Sequence, residues 1–163
     1  ERPQRKRLRL ESYDYSQPGS YFITICTRER NQEVLCSIEP AVGAIINRPP
    51  RISLTPLGRI VDETIRAIPD HYPRHIGDQY IIMPDHVHLI LALRHIGPDE
   101  RQIAAPYAAV ERHPADEADH QQVSGHFSWQ KGFYDHVIRN DEDLANVRQY
   151  IRNNPLKWIQ DKD

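Results

Sequence analysis

The sequence has little cysteine and no long apolar run, and both absences narrow what the protein can be. Only Cys26 and Cys36 occur, and their spacing matches neither a paired metal knuckle nor a redox Cys-x-x-Cys motif. No apolar stretch approaches the roughly 18 residues that a membrane span needs, and the N-terminus lacks the apolar core of a signal peptide. We therefore expect a cytoplasmic protein with reduced thiols and no membrane partner.

The chain is also too short for two domains that each have a hydrophobic core of their own. Its 163 residues, 39% of them hydrophobic, are enough for one compact core. Charge is unevenly distributed: the net charge is -2, yet the first nine residues, ERPQRKRLR, carry five basic side chains and one acid. Such an arm suits a polyanion, or is simply a solvated terminus. We predict a basic arm over 1–15 and a single catalytic domain over 16–163, with a variable segment at about 95–127.

Strand and helix signals alternate along the first half of the domain. The β-branched and aromatic stretch YFITICT predicts a buried strand at about 20–28. A short edge strand is expected after ERNQEVLCS, and AVGAIINRPPRIS is interpreted as an excursion broken by two prolines. Thr55 and Pro56 are typical of a helix start, and apolar residues then recur at helical spacing until Pro69.

The second half begins with two strand-like runs and ends with a helix. HIGDQYIIM and HVHLILALR are separated by Pro84 and Asp85, turn formers that predict an antiparallel pair. A strand or turn follows at about 133–138. Asp141 is then predicted to cap a helix through EDLANVRQYIRNN, which Pro155 is expected to end.

Two histidines one residue apart lie in the second strand-like run, within MPDHVHLILAL. Residues i and i+2 of a strand point to one face, so His86 and His88 project together, while Val87, Leu89 and Leu91 face the other side. Such a pair is a structural hydrogen-bonded pair about as often as it is a metal clamp. A structural zinc site needs four protein ligands, and no second Cys/His cluster follows. The pattern therefore favours an open site.

The predicted terminal helix supplies further polar groups. Leu144, Val147 and Ile151 form its apolar stripe, and Tyr150 and Asn154, four residues apart, lie along the edge of that stripe. A tyrosine at such an edge usually packs in the core with its hydroxyl at the surface. Near a metal that polarises a phosphate, a phenol can act instead as a nucleophile, and an amide oxygen can serve as a hard ligand.

Three separated stretches resemble one known family. MPDHVHLIL resembles the HUH signature of the single-tyrosine transposases, and YIRNNPLKW is similar to the helix that carries their catalytic tyrosine. YDYSQPGSYFITICTRER resembles the first strand of the REP-associated branch, and GFYDHVIRNDEDL matches the approach to the tyrosine helix. The resemblance covers most of the chain, except roughly 39–52 and 95–127.

The resemblance implies an α+β fold, with an antiparallel sheet flanked by helices, of the ferredoxin-like, HUH nuclease type. It also implies a metal-dependent single-stranded DNA endonuclease and strand-transferase, acting at hairpin, REP-like palindromic DNA in transposition or repeat mobilisation. His86, His88 and Asn154 would hold Mg²⁺ or Mn²⁺, and Tyr150 would form a covalent 5′-phosphotyrosine link. Relatives assemble their sites within one chain or between two, so we expect a monomer or a homodimer.

Basic and aromatic side chains are the candidates for contacts with DNA. Arginine and lysine would contact the phosphate backbone, and aromatic rings can stack on unpaired bases. The basic candidates are Arg5, Lys6, Arg7, Arg9, Arg28, Arg30 and Lys157. The aromatic candidates are Trp129, Tyr134 and Trp158, of which Tyr134 is also the rival nucleophile.

The segment at about 95–127 departs from the family pattern. Relatives usually carry a longer basic helix there, whereas this chain is rich in Ala and Pro and places acids at Asp116, Glu117 and Asp119. That difference favours an alternative, a catalytically inactive or domesticated DNA-binding module of the same fold. A metal-dependent phosphoesterase is a third hypothesis, against which the basic arm and Tyr150 argue.

Overall fold

The structure, a computed structural model, describes residues 13–28, 30, 32–40, 49–95 and 127–161. The predicted basic arm up to residue 12, and the predicted variable segment over 96–126, lie outside the described residues. Within the described ranges the chain forms strands and helices in the order β1 (Gly19–Cys26), β2 (Cys36–Glu39), β3 (Arg51–Leu54), α1 (Pro56–Arg66), α2 (Ile68–His71), β4 (His75–Ile82), β5 (His86–Leu93), β6 (Tyr134–Ile138) and α3 (Asp141–Gln160).

Four of these strands form one antiparallel sheet in the order β4-β5-β1-β6, and β2 and β3 form a separate antiparallel pair. The predicted pairing of β4 with β5 around Pro84 and Asp85 is confirmed. The predicted α+β class, with an antiparallel sheet flanked by helices, is confirmed as well. No helix in the described ranges is long and apolar enough to cross a membrane.

Strand β1 is central because it pairs with β5 on one side and with β6 on the other. Its β-branched and aromatic side chains suit a strand that is covered on both faces. The observed strand ends at Cys26, two residues before the predicted end, and Thr27 continues the pairing through a single bridge to Trp129. The register places Thr24 opposite His88, and Cys26 opposite His86.

Each face of the sheet has its own apolar core. On one face Leu57 of α1 packs with Ile82 and Val87, together with Leu35. On the other face Val147 and Ile151 of α3 pack against Ile90 of β5. Burying one such side chain stabilises a fold by about 1.5–3 kcal/mol, so the two cores hold the two helices on opposite faces. The histidines share the face of Ile90, which is the face that α3 covers.

Helix α1 begins where the sequence predicts. The Oγ1 atom of Thr55 accepts a hydrogen bond of 3.0 Å from the backbone N–H of Gly58, and Pro56 occupies the first turn. The glycine is required by packing, because a Cβ atom at this position would collide with the backbone oxygen of Leu35. The apolar pattern that continues to Pro69 is divided between α1, which ends at Arg66, and the short helix α2.

Two local predictions about α3 are wrong, and the segment interpreted as an excursion contains a strand. The cap of α3 is Asn140 and not Asp141, since the Asn140 side chain accepts from the N–H of Asp143 at 2.8 Å. Pro155 does not end α3, which continues to Gln160 and brings Trp158 to 6.2 Å from His86 between ring centroids. Strand β3 lies in the segment interpreted as an excursion, where pairing with β2 supplies its partner.

Candidate metal and nucleophile site

The histidine pair lies at the start of β5, one of the two central strands of the sheet. His86 and His88 are 8% and 4% exposed, and their Nε2 atoms face each other at 3.1 Å. Because β5 is flanked by β4 and β1, the backbone on both sides of the pair is fixed by strand pairing. The strand therefore directs the two imidazoles to one point.

The other nitrogen of each ring is held by a side chain of the protein. The Nδ1 atom of His86 lies 2.6 Å from Oδ1 of Asp85, and the Nδ1 atom of His88 lies 2.8 Å from Oγ1 of Thr24. A carboxylate only accepts, so the Nδ1 atom of His86 carries a proton and donates to Asp85. Because Asp85 and Thr24 occupy the two Nδ1 atoms, the Nε2 atoms are the ring nitrogens that face each other between the histidines.

The contact with Asp85 leaves Nε2 of His86 as an acceptor, so Nε2–H of His88 donates across the 3.1 Å gap while the Thr24 hydroxyl donates to Nδ1. A threonine hydroxyl can equally accept, which lets the His88 proton reside on Nδ1 instead. Both Nε2 lone pairs then converge. Two adjacent ligands of an octahedral ion, each about 2.1 Å away, are about 3.0 Å apart, so the observed separation fits a divalent cation.

Burial determines the charge of both rings. It lowers the pKa of His86, an effect that the hydrogen bond to Asp85 partly opposes. Burial, followed by the charge of the neighbouring His86, lowers the pKa of His88 to about 3. Near neutral pH both rings are therefore uncharged, which is the form in which imidazole binds a metal.

Asp85 is a functional candidate that the sequence analysis treated only as a turn former. Its side chain is fully buried, and besides His86 it contacts Nε of Arg30 at 3.0 Å. The backbone oxygen of Asp85 accepts from both the N–H and the hydroxyl of Thr27, each at 2.9 Å. The signal that could have identified it is its position directly before the first histidine. Carboxylates that hold the outer nitrogen of a histidine fix its orientation and raise its basicity toward a metal.

Tyr150 lies over the histidine pair because α3 packs on that face. Its ring centroid is 5.2 Å from that of His88 and 5.8 Å from that of Phe22 on β1. The residue is 45% exposed, whereas both histidines are buried. The tyrosine therefore borders the pair and solvent at once, a position from which a hydroxyl can meet an incoming substrate.

Asn154 is the buried polar residue of α3, at 7% exposure. It lies one helical turn after Tyr150, which contacts His88, and one turn before Trp158, which contacts His86. Helical spacing therefore places Asn154 on the face of α3 that carries Tyr150 and Trp158. The described residues contain no group of three His, Cys, Asp or Glu side chains that could hold a metal. Among the described residues, the amide of Asn154 is the candidate for a third protein ligand here.

Some of the basic candidates for DNA contacts lie outside the described residues, whereas all of the catalytic candidates lie within them. Arg5, Lys6, Arg7 and Arg9 lie outside the described residues. Arg28, Arg30 and Lys157 are exposed. Arg30 already binds Asp85, so its side chain has a structural partner within the chain.

The aromatic candidates lie on both faces of the sheet. Tyr134, 58% exposed, pairs in register with Thr24 and so shares the histidine face, and Trp158 reaches the same face from α3. Trp129 contacts Phe127, which packs on the core beneath α1. His136, near Tyr134 on β6, binds the Asp143 carboxylate at 2.9 Å.

Comparisons with known proteins point to one group. No protein-family model matches the chain. It is 29% identical over 183 residues to an uncharacterized protein of Haemophilus influenzae, covering 97% of this chain and 92% of that one. It is 28% identical over 151 residues to a "Putative REP-associated tyrosine transposase" of the same organism, covering 88% of this chain and 74% of that one.

A solved structure shows the same fold. It is a REP-associated tyrosine transposase bound to a REP hairpin, with a TM-score of 0.52 and 20% sequence identity, over 85% of this chain and 67% of that one. The sequence likeness and the shared fold involve the same group of proteins. The predicted resemblance of this chain to the REP-associated tyrosine transposases is thus confirmed.

Proposed function

We propose that the protein is a metal-dependent single-stranded DNA endonuclease and strand-transferase that acts at hairpin DNA through a covalent 5′-phosphotyrosine intermediate. The observation that carries the proposal is the contact between Tyr150 and His88, which joins a half-exposed phenol to a converging pair of uncharged imidazoles. The helix that bears Tyr150 belongs to the same chain as the histidines, which supports a site assembled within one protomer.

The side-chain chemistry fits a hard divalent cation. His86 and His88 would hold Mg²⁺ or Mn²⁺ through their Nε2 atoms, and Asn154 would add its amide oxygen. When bound, the ion supplies positive charge to the non-bridging oxygens of the scissile phosphate. The remaining coordination positions would be left for water and substrate, since the described part of the chain offers few further ligands here.

Tyr150 is the proposed nucleophile. Its hydroxyl oxygen forms a bond to the scissile phosphorus, the bond from phosphorus to the 3′-oxygen breaks, and the departing 3′-oxygen takes up a proton. The phenolic proton leaves to solvent, which the 45% exposure of the residue permits. One phosphodiester replaces another, so the 3′-hydroxyl can later attack the phosphotyrosine and rejoin strands without external energy.

The DNA partner is inferred from chemistry and from the structural neighbour. That neighbour is bound to a REP hairpin, which supports hairpin DNA as the substrate class. Tyr134 presents a largely exposed ring on the histidine face, where an unpaired base can stack. Arg28 and Lys157 remain candidates for backbone contacts, together with the basic arm.

The test is formation of a covalent adduct between the protein and a labelled hairpin that carries a single-stranded flank. With Mn²⁺ present, we expect a band that resists denaturation and is lost when the metal is chelated. Tyr150→Phe should abolish the band, and Tyr134→Phe is the matched control, because it removes a hydroxyl from an exposed tyrosine on the same face.

Three results would overturn the proposal. If Tyr134→Phe abolishes the adduct and Tyr150→Phe does not, the nucleophile is misassigned. If the unmutated protein binds the hairpin without forming an adduct, the chain is a DNA-binding module that has lost the chemistry. If it neither binds nor cleaves the hairpin but hydrolyses small phosphoesters, the histidine pair serves a phosphoesterase.

A further inference from the structure

Strand β4 carries an irregularity next to the helix that bears Tyr150. Gly77 pairs with Leu91 and Tyr80 pairs with Leu89, so three steps along β4 correspond to two steps along β5. The extra residue is a β-bulge, in which Asp78 and Gln79 together lie opposite Ile90. The side chain of Ile90 lies in the core beneath α3.

The bulge changes where two consecutive side chains point. In a regular strand neighbouring residues face opposite sides of the sheet, so one of the pair would point away from α3. Here both reach the same residue of α3. The Asp78 carboxylate binds Nε and Nη2 of Arg148, each at 3.0 Å, and the amide of Gln79 donates to the backbone oxygen of Arg148 at 3.4 Å.

These contacts add a directional restraint, which the apolar packing of α3 lacks. Contacts of Val147 and Ile151 with Ile90 hold the helix close to the sheet, but apolar packing is non-directional and tolerates small slides and rotations. A two-point pair between guanidinium and carboxylate has a defined geometry. It therefore fixes both the position of α3 along its axis and its rotation about that axis.

We propose that Asp78 and Gln79 form a positioning clamp, here named the β4 clamp, that holds Arg148 and so places Tyr150 over His88. Arg148 precedes Tyr150 by two residues on α3, so a shift at the clamp moves the phenol by a similar amount. Attack on phosphorus is sensitive to such shifts, because misplacing a reacting group by about 1 Å can slow a reaction about 100-fold. The β4 clamp acts through Tyr150 and touches neither substrate nor metal.

The catalytic test rests on the proposed function and uses Arg148→Lys, which retains the positive charge and removes the two-point geometry. We expect the rate of adduct formation at saturating hairpin to fall about 10- to 100-fold, with hairpin affinity unchanged within about twofold. Exchanging the pair, Asp78→Arg with Arg148→Asp, should restore part of the rate lost in Arg148→Asp alone. Arg152→Lys is the matched control, since Arg152 donates to Gln149 within the same helix.

A second readout does not depend on catalysis. In the DNA-free protein, amide hydrogens of α3 should exchange with solvent faster in Arg148→Lys than in Arg152→Lys, while those of β1 and β5 are unchanged. Equal exchange in the two variants overturns the β4 clamp, as does an adduct rate within twofold of the unmutated protein. Loss of hairpin affinity instead of rate also overturns it, because Arg148 would then be a DNA contact. An unmutated protein that forms no adduct refutes the proposed function, and the exchange result then decides the clamp alone.

Discussion

Replacing Asp85 tests whether the histidine pair is built to hold a cation. The carboxylate is fully buried and accepts from Nδ1–H of His86 at 2.6 Å and from Nε–H of Arg30 at 3.0 Å. Asn has the same shape but a single acceptor oxygen, so it can satisfy only one of these donors through oxygen. The side chain of Arg30 is 51% exposed and can turn to water, whereas His86 cannot. We therefore expect the Asn oxygen to face His86.

The expected loss of metal affinity depends on whether the substituted residue still accepts from Nδ1–H of His86. Loss of the carboxylate that supports a ligating histidine typically lowers metal affinity about 10- to 100-fold, or about 1.4–2.8 kcal/mol. Asp85→Asn, which keeps a neutral acceptor, should lie near the tenfold end. Asp85→Ala, which leaves Nδ1–H of His86 without its partner, should lie near 100-fold and also destabilise the fold by about 1–3 kcal/mol.

The assay is calorimetric titration of the DNA-free protein with Mn²⁺. Asp143→Asn is the control, because it replaces the acid of another pair of Asp and His, Asp143 with His136, in which neither residue is a proposed ligand. It should leave Mn²⁺ affinity unchanged. The reasoning is refuted if folded Asp85→Asn and Asp85→Ala both bind Mn²⁺ within twofold of the unmutated protein, since His86 would then not depend on its carboxylate.

Three further predictions follow from other contacts. Thr24→Val should weaken Mn²⁺ binding about tenfold while Thr24→Ser retains it, because only a hydroxyl can partner Nδ1 of His88; calorimetry on the same scale checks this. Gly58→Ala should lower the free energy of unfolding by about 3 kcal/mol, because the added Cβ collides with the backbone oxygen of Leu35; an unchanged urea midpoint would contradict it. Burial raises the pKa of Cys36 from the ordinary 9.0 to about 12, so its contribution to stability is complete below pH 9 and is lost as the pH rises toward 12. Urea unfolding, measured in steps of about one pH unit from about pH 8 to 11, should show a shallower decline in the free energy of unfolding for Cys36→Ala than for the unmutated protein.

The parts of the site that depend on local rules were predictable from the sequence. Alternation along β5 predicted that His86 and His88 share a face, and helical spacing predicted that Val147 and Ile151 bury the stripe beside Tyr150. Both patterns are read within one element, and each is repeated over several residues. The covering of the histidine face by α3 does not follow from them, because the apolar set Val87, Leu89 and Leu91 lies on the opposite face and α3 packs instead on Ile90.

The parts that depend on distant partners were not predictable. Asp85 resembles any turn residue until the fold brings Arg30, 55 residues away in the sequence, to its carboxylate. Gly77 is a local sign of a bulge in β4, but it does not indicate that Asp78 reaches Arg148, 70 residues away. Pro155 would end an isolated helix, yet the packing of the last turn of α3 against the sheet carries the helix past it. In each case the deciding contact joins segments that sequence patterns treat separately.

The fixation of both rings of the histidine pair has a consequence for how tightly an ion can be held. Each imidazole is anchored by its outer nitrogen, His86 to Asp85 and His88 to Thr24, so neither ring can rotate freely. Immobilising a flexible side chain costs about 0.5–1.5 kcal/mol of conformational entropy, and here that loss occurs on folding and not on binding. An ion bound between the two rings would therefore meet a rigid chelate. Substitutions that loosen the pairing of β1 with β5 should reduce metal affinity even where they leave every ligand in place.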